Sequence, residues 1–175
     1  MNNDQKAVLG SWIQAIGTII SAIGSTPFKI PAKLLNDLDL IGNVLQGSGN
    51  ALMADSIKPF TLNKIGNQIQ AIGNTTIVTQ YIINFNDKTA QELEIKGDLF
   101  QAVGGGIAFS TQNWEEKPSM EEIYSTYGNL LQVIGNSMQS IAGGIEQKGG
   151  DGQVMNTVGS WIQAIGAVLS AIGQN

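Results

Sequence analysis

The feature that most restricts what this chain can fold into is a phrase, Gly-x-x-apolar-Gln-x-x-Gly, written six times in 175 residues. It stands as GSWIQAIG at 10–17, GNVLQGSG at 42–49, GNQIQAIG at 66–73, GDLFQAVG at 97–104, GNLLQVIG at 128–135 and again GSWIQAIG at 159–166. The leading glycines are separated by 32, 24, 31, 31 and 31 residues. Recurrence near one period marks an internal repeat, in which each unit buries its apolar surface only against its neighbours. Residues 1–175 are thus expected to form a single repeat domain, with units starting near 10, 42, 66, 97, 128 and 159.

At about 100° per residue, Trp12, Ile13 and Ile16 fall on one face, continued by Ile19, Ile20 and Ile23. Ser11, Gln14 and Ala15 occupy the opposite arc. This periodicity is helical and lacks the alternation of a half-buried strand. Breaker-rich segments at 25–31, 55–61, 85–90, 110–119 and 146–153 separate the units, and short connections favour antiparallel neighbours. The predicted fold is all-α: an antiparallel up-and-down array or bundle of about six helices from a roughly 31-residue repeat. A short-helix α-solenoid is the alternative. Each leading Gly is followed by Asn, Ser or Asp and, three residues later, by Gln, which is also the spacing of a capping box after a helix C-terminus.

An interior helical glycine costs about 1 kcal/mol relative to alanine, so the repeated glycines need an offsetting gain. Close backbone approach between helices supplies one, with Ile and Leu of neighbouring helices filling the groove. The predicted packing positions are Gly10, Gly17, Gly24, Gly42, Gly49, Gly66, Gly73, Gly97, Gly104, Gly128, Gly135, Gly159, Gly166 and Gly173. The in-phase glutamines Gln14, Gln46, Gln70, Gln101, Gln132 and Gln163 have two readings. They are either local caps and solvent-facing amides, or an inter-helix ladder of amide hydrogen bonds that fixes register.

The two end units are nearly the same sequence, and 7–24 and 154–173 hold no charged side chain. Terminal units of ordinary solenoids are polar caps. The expectation here is that the end helices cover one another, within a closed bundle or between subunits, with Trp12, Ile16, Trp161 and Ile165 as candidate self-association residues. A contact between subunits that does not close would propagate into a filament.

Composition removes most chemistry. The chain has no Arg, His or Cys and a net charge of −5. It therefore lacks an imidazole base, a thiolate, a bidentate phosphate clamp and a duplex-binding field. No catalytic, cofactor-binding or metal-binding residue is predicted, and no nucleic-acid partner. GGGI at 104–107 has no Gly-Lys-Ser/Thr after it and no strand before it, so it is no phosphate loop. The pairs Asp37/Asp39, Glu115/Glu116 and Glu121/Glu122 are expected to be solvated surface or helix N-terminal charge. Ser119 and Glu122 have capping-box spacing after Pro118, and KGGDGQ at 148–153 is expected to be a turn.

Across nearly its full length, the recurrence of GSWIQAIG, GNQIQAIG and GNLLQVIG resembles that of uncharacterised repetitive glycine-heptad proteins of Bacillus-type spore-forming bacteria. The resemblance implies a cytoplasmic or spore- or cell-surface-associated protein and supplies no activity. MNNDQK mixes acidic and basic residues ahead of the first apolar run, so no cleavable signal peptide is expected. Together these readings predict a non-enzymatic structural or interaction protein that self-associates, as a homo-oligomer or filament, through glycine-lined apolar helices at its ends. The alternative is a membrane-interacting helical protein, lipid-binding or pore-forming.

Overall fold

A computed structural model describes residues 1–111 and 117–174. It contains six helices: α1 (Asn3–Gly24), α2 (Ala32–Ser56), α3 (Leu62–Ile82), α4 (Asp87–Ser110), α5 (Met120–Gln147) and α6 (Gln153–Ile172). Among the described residues there is no strand. Each helix is unbroken through its interior glycines, so the fold is the up-and-down array of long helices and the short-helix solenoid is set aside. The Gly-Ser and Gly-Asn steps do not cap anything; Ser11 Oγ instead donates to the Val8 carbonyl within α1.

The helices begin where the sequence offers partners for their free N–H groups. Asn2 with Gln5 and Ser119 with Glu122 form capping boxes, while Thr61 and Asn86 cap α3 and α4 through single side-chain acceptors. α2 starts directly after Pro31 without a side-chain cap. The turn into α6 uses Gly149 at φ 82°, a conformation that glycine adopts without a Cβ clash.

Among the described residues the backbone of each helix packs against those of its neighbours in sequence, and α1 packs against α6. Six antiparallel helices thus close into a ring around a central axis. The end helices meet side by side within one chain, through Ala15, Ala167 and Ala171 with Val168. A clasp beside them completes the closure: the Ser25 carbonyl accepts from Gln153 Nε2 and Thr157 Oγ1, both at 3.1 Å, and Trp161 Nε1 donates to Thr26 Oγ1 at 3.0 Å.

Within the ring the helices pair as three hairpins, α1/α2, α3/α4 and α5/α6, along the glycine seams. Gly10 faces Gly49 and Gly17 faces Gly42; Gly66 faces Gly104 and Gly73 faces Gly97; Gly128 faces Gly166 and Gly135 faces Gly159. A Cβ on Gly42 would stand 2.6 Å from Ser21 N and 2.7 Å from Gly17 O. Gly24 and Gly173 extend the first and third seams against the backbone of Leu35 and Asp39 and of Glu121 and Ser125. Main chain fills most of the groove, together with Ser, Gln, Ala and Met side chains. The expected plugs of Ile and Leu occur beside Gly17, Gly97 and Gly166, as Leu45, Ile77 and Leu131; at the other seam glycines the backbones approach too closely to admit them. Small residues that let main chains touch are the packing mode of helices without a hydrophobic drive between them.

The short spacing of the second unit has a simple place in this frame. The stretch from Gly49 to Gly66, which crosses from α2 to α3, is seven residues shorter than the corresponding Gly104-to-Gly128 stretch. Part of the difference is the first turn of the helix, since α3 begins four residues before Gly66 and α5 eight before Gly128, and the rest lies in the link.

Candidate functional site

The ring is inverted relative to an ordinary bundle. The apolar stripe expected to face the core lies outside. Ile16, Ile41, Val44, Ile72, Leu99, Val103, Ile134, Ile141, Val158 and Ile165 are all exposed, with Ile16 and Ile165 at 50% and 55%. Trp12 and Trp161 also sit on this outer surface, about one-third exposed. Conversely, all six repeat glutamines are buried, Gln46 to 1%. The reading of them as caps or solvent-facing amides is therefore corrected. Periodicity fixes the angle between two faces of a helix but leaves open which one turns inward.

The glutamines meet on the axis, each lying between the two glycines of its heptad. Gln14 Nε2 donates to Gln132 Oε1 at 2.8 Å, and Gln163 Nε2 donates to Gln46 Oε1 at 2.8 Å and to Gln101 Oε1 at 3.2 Å. Those from α1, α3 and α5, namely Gln14, Gln70 and Gln132, line a cavity of about 370 Å³ that opens at one end of the barrel. Those from α2, α4 and α6, namely Gln46, Gln101 and Gln163, line a pocket of about 10 Å³ on the other side. The waist is thus two stacked amide triangles. Sequence reasoning missed the residues that complete it, because Gln139 and Ser170 lie outside the repeated phrase and Ser160 within it gave no sign of facing them. Gln139 Nε2 donates to Gln163 Oε1 at 3.0 Å and Gln139 Oε1 accepts from Ser160 Oγ at 2.9 Å. Gln132 Nε2 donates to Ser170 Oγ at 3.0 Å.

Beyond the small pocket, a second opening of about 310 Å³ leads out at the far end. Its approach carries three carboxylates, Asp39, Glu94 and Asp98, with no lysine among the residues lining either space. Tyr81 OH donates to Asp39 Oδ2 at 2.6 Å, Asn43 Nδ2 to Asp39 Oδ1 at 3.2 Å, and Ser21 Oγ also donates to Asp39. Asp98 is buried. It stands where four of the other units carry Asn or Ser after the leading glycine and a fifth, at Gly42, also carries Asn; that inward-facing position was the available signal. The expected solvated pair Asp37/Asp39 is corrected in its second member. Asp37 is exposed, whereas Asp39 turns inward because Gly24 lets α1 press against its backbone. Glu121 is exposed and Glu122 serves the α5 capping box; Glu115 and Glu116 lie outside the described residues. Among the described residues, no group of three or more acidic side chains is placed to hold a metal ion.

Charges otherwise collect at the two ends. No Asp, Glu or Lys occurs in 7–24, 40–54, 65–82, 99–110, 123–145 or 153–172, which together form a belt around the barrel. At the 370 Å³ end Lys6 pairs with Asp55, and this hydrogen bond and charge hold the Asp55 carboxyl below the usual carboxylate range. Hydroxyls on and near the outer surface bond inward to their own helices. Ser48 Oγ donates to the Val44 carbonyl, Thr75 Oγ1 to that of Ala71 and Thr79 Oγ1 to that of Thr75, each at 2.8 Å.

Fold and site together define a closed antiparallel six-helix barrel with a polar axis and an apolar perimeter. Residues 5–171 match a family of unknown function (DUF6944), and the chain belongs to it. No curated protein and no solved structure matches it.

Proposed function

We propose that the barrel works in a lipid bilayer, its apolar perimeter against acyl chains and its polar axis as the core of a pore-forming protein. The observation that carries this reading is the reversed polarity, present on all six helices and bounded by charge at both ends. Water would oppose such a surface on every side, since exposed apolar area costs about 25 cal/mol per Å², whereas lipid does not. Hydroxyls that bond to the preceding turn's carbonyls satisfy themselves without water, as lipid-facing groups must.

Dimensions fit with adjustments on two helices. The helices are 20–28 residues long, about 30–42 Å at 1.5 Å per residue, against a hydrocarbon core of about 30 Å. α1 and α6 are each long and apolar enough to cross a membrane by length and composition. On α2 the uncharged stretch 40–54 spans about 22 Å, with the exposed Asp37 and Asp55 beyond it. On α4 the uncharged stretch is only 99–110, about 18 Å. There the exposed Lys96, paired with Glu92 at 3.3 Å, snorkels along its aliphatic stem or thins the bilayer locally.

The test is expression followed by fractionation and reconstitution. Recovery in membranes after alkaline carbonate washing, with a helical spectrum retained in vesicles, is the expected result. A detergent-free, fully soluble monomer that ignores vesicles would sink the reading.

Self-association is the second reading. α1 and α6 are neighbours, so Trp12, Ile16, Trp161 and Ile165 stand on the outer faces of adjacent helices and form one candidate seam between barrels. Cross-linking through cysteines placed at Ile16 and Ile165 tests it; an exclusively monomeric product at high protein-to-lipid ratio argues against it.

A further inference from the structure

We infer that the double glutamine triangle is the permeation constriction of the barrel, and that it suits small neutral hydrogen-bonding solutes rather than ions. This inference rests on the membrane reading above and adds a substrate class to it. Three observations converge. The axis is polar from the 370 Å³ cavity at one end to the 310 Å³ opening at the other. Its continuity is interrupted where the six buried amides meet, and the space beyond them, about 10 Å³, is near the size of one water site. The amides carry no net charge, and each presents both an N–H donor and a C=O acceptor.

The chemistry of passage follows from that inventory. An ion entering the waist gives up hydration, which is costly in a water-poor site; the Asp39, Glu94 and Asp98 carboxyls that line the small pocket beside the amides are pushed above the usual carboxylate range by burial, which weakens the charge a cation would meet there. A neutral amide or polyol exchanges water hydrogen bonds for amide ones of the same kind. Because the waist is made of flexible side chains on a rigid backbone seam, rotation of Gln14, Gln132 or Gln163 opens it without separating the helices. The carboxylates near the far mouth disfavour anions in addition.

The experiment uses the full chain in vesicles of neutral phospholipid, with insertion confirmed by carbonate resistance and helicity by circular dichroism. Osmotic swelling is followed by stopped-flow light scattering with urea as the probe, and potassium and chloride fluxes are followed in parallel. The expected result is urea entry severalfold faster than in empty vesicles, without matching ion flux. Gln132→Ser should raise urea entry severalfold, and Gln132→Met, which keeps the bulk but removes the amide, should lower it. Both variants are compared only where their helicity equals that of the parent chain, with Gln14→Ser and Gln14→Met as a second pair. Ion flux equal to urea flux, or urea entry indifferent to both pairs, overturns the constriction. So does an inserted, helical protein that passes nothing, which also removes the pore from the reading above and leaves only its placement in the bilayer. Failure to insert at all removes the membrane reading itself.

Discussion

The seams within hairpins and the seams between them are built on different principles. Inside α1/α2, α3/α4 and α5/α6, glycine faces glycine and main chain touches main chain. Between α2 and α3, a Cβ on Gly47 would meet only the Asn74 Cβ at 3.2 Å and the Ala71 carbonyl at 3.8 Å. Between α4 and α5, Gly105 and Gly143 face side-chain atoms of Val133 and Ile95, and α6 meets α1 through alanines. Side chains can shift by a few tenths of an ångström, whereas packed backbones cannot. The hairpins are therefore the rigid units, and any adjustment of the barrel's bore falls on the seams that join them.

This contrast can be broken most directly at Gly42. Gly42→Ala places a methyl against the α1 backbone and should destabilise the fold by about 3 kcal/mol or more, the upper range for overpacking; thermal unfolding in detergent, followed by circular dichroism, measures it. A loss below that of Gly47→Ala would show that the hairpin seams are not the rigid ones. Next comes the waist that both kinds of seam enclose. Gln163→Ala removes the donor to Gln46 Oε1 and Gln101 Oε1 and the acceptor of Gln139 Nε2 and should cost about 1–3 kcal/mol. Gln70→Ala, at a position with no bond to another glutamine among the described residues, should cost less.

A smaller effect, of opposite sign, is expected from Asp98→Asn. It removes a buried carboxylate that faces Glu94 and Asp39 and substitutes the residue other units use, so stability should rise by about 1 kcal/mol. An unchanged or lower midpoint would mean that the carboxylate has a stabilising partner. The least change belongs to the joining seams and the open surface. Gly47→Ala should be nearly neutral, the helix-propensity gain offsetting a slight displacement of Asn74. Gly144→Ala, where nothing lies within 4 Å, should stabilise by about 0.5–1 kcal/mol.

Much of the fold could be read from the repeat. Unbroken apolar phase across Gly17 and Gly166 points to single long helices, and the glycine period marks the lines along which they meet. The direction in which each helix turns was not legible, since amphipathicity is symmetrical until the surroundings are known. For a chain in water the Ile and Trp stripe belongs inside; here Gln, Asn and Ser hold that place, and the low charge share of 13% was the available hint. Asp39 was hidden for a different reason. It lies three residues ahead of a repeat, and its burial depends on Gly24 of another helix, a contact that no local pattern encodes.

The shortened crossing between α2 and α3 carries a lesson about how such a chain can change. Its missing residues come partly from the first turn of α3 and partly from the link, yet Gln70 lines the same cavity as Gln14 and Gln132. A residue inserted inside a helix, between a glutamine and its seam glycines, would instead swing everything beyond it by about 100°, exposing amides to the exterior and sealing isoleucines within. Length variation among proteins of this architecture should consequently gather in the links, with the glycine-to-glycine heptads held constant.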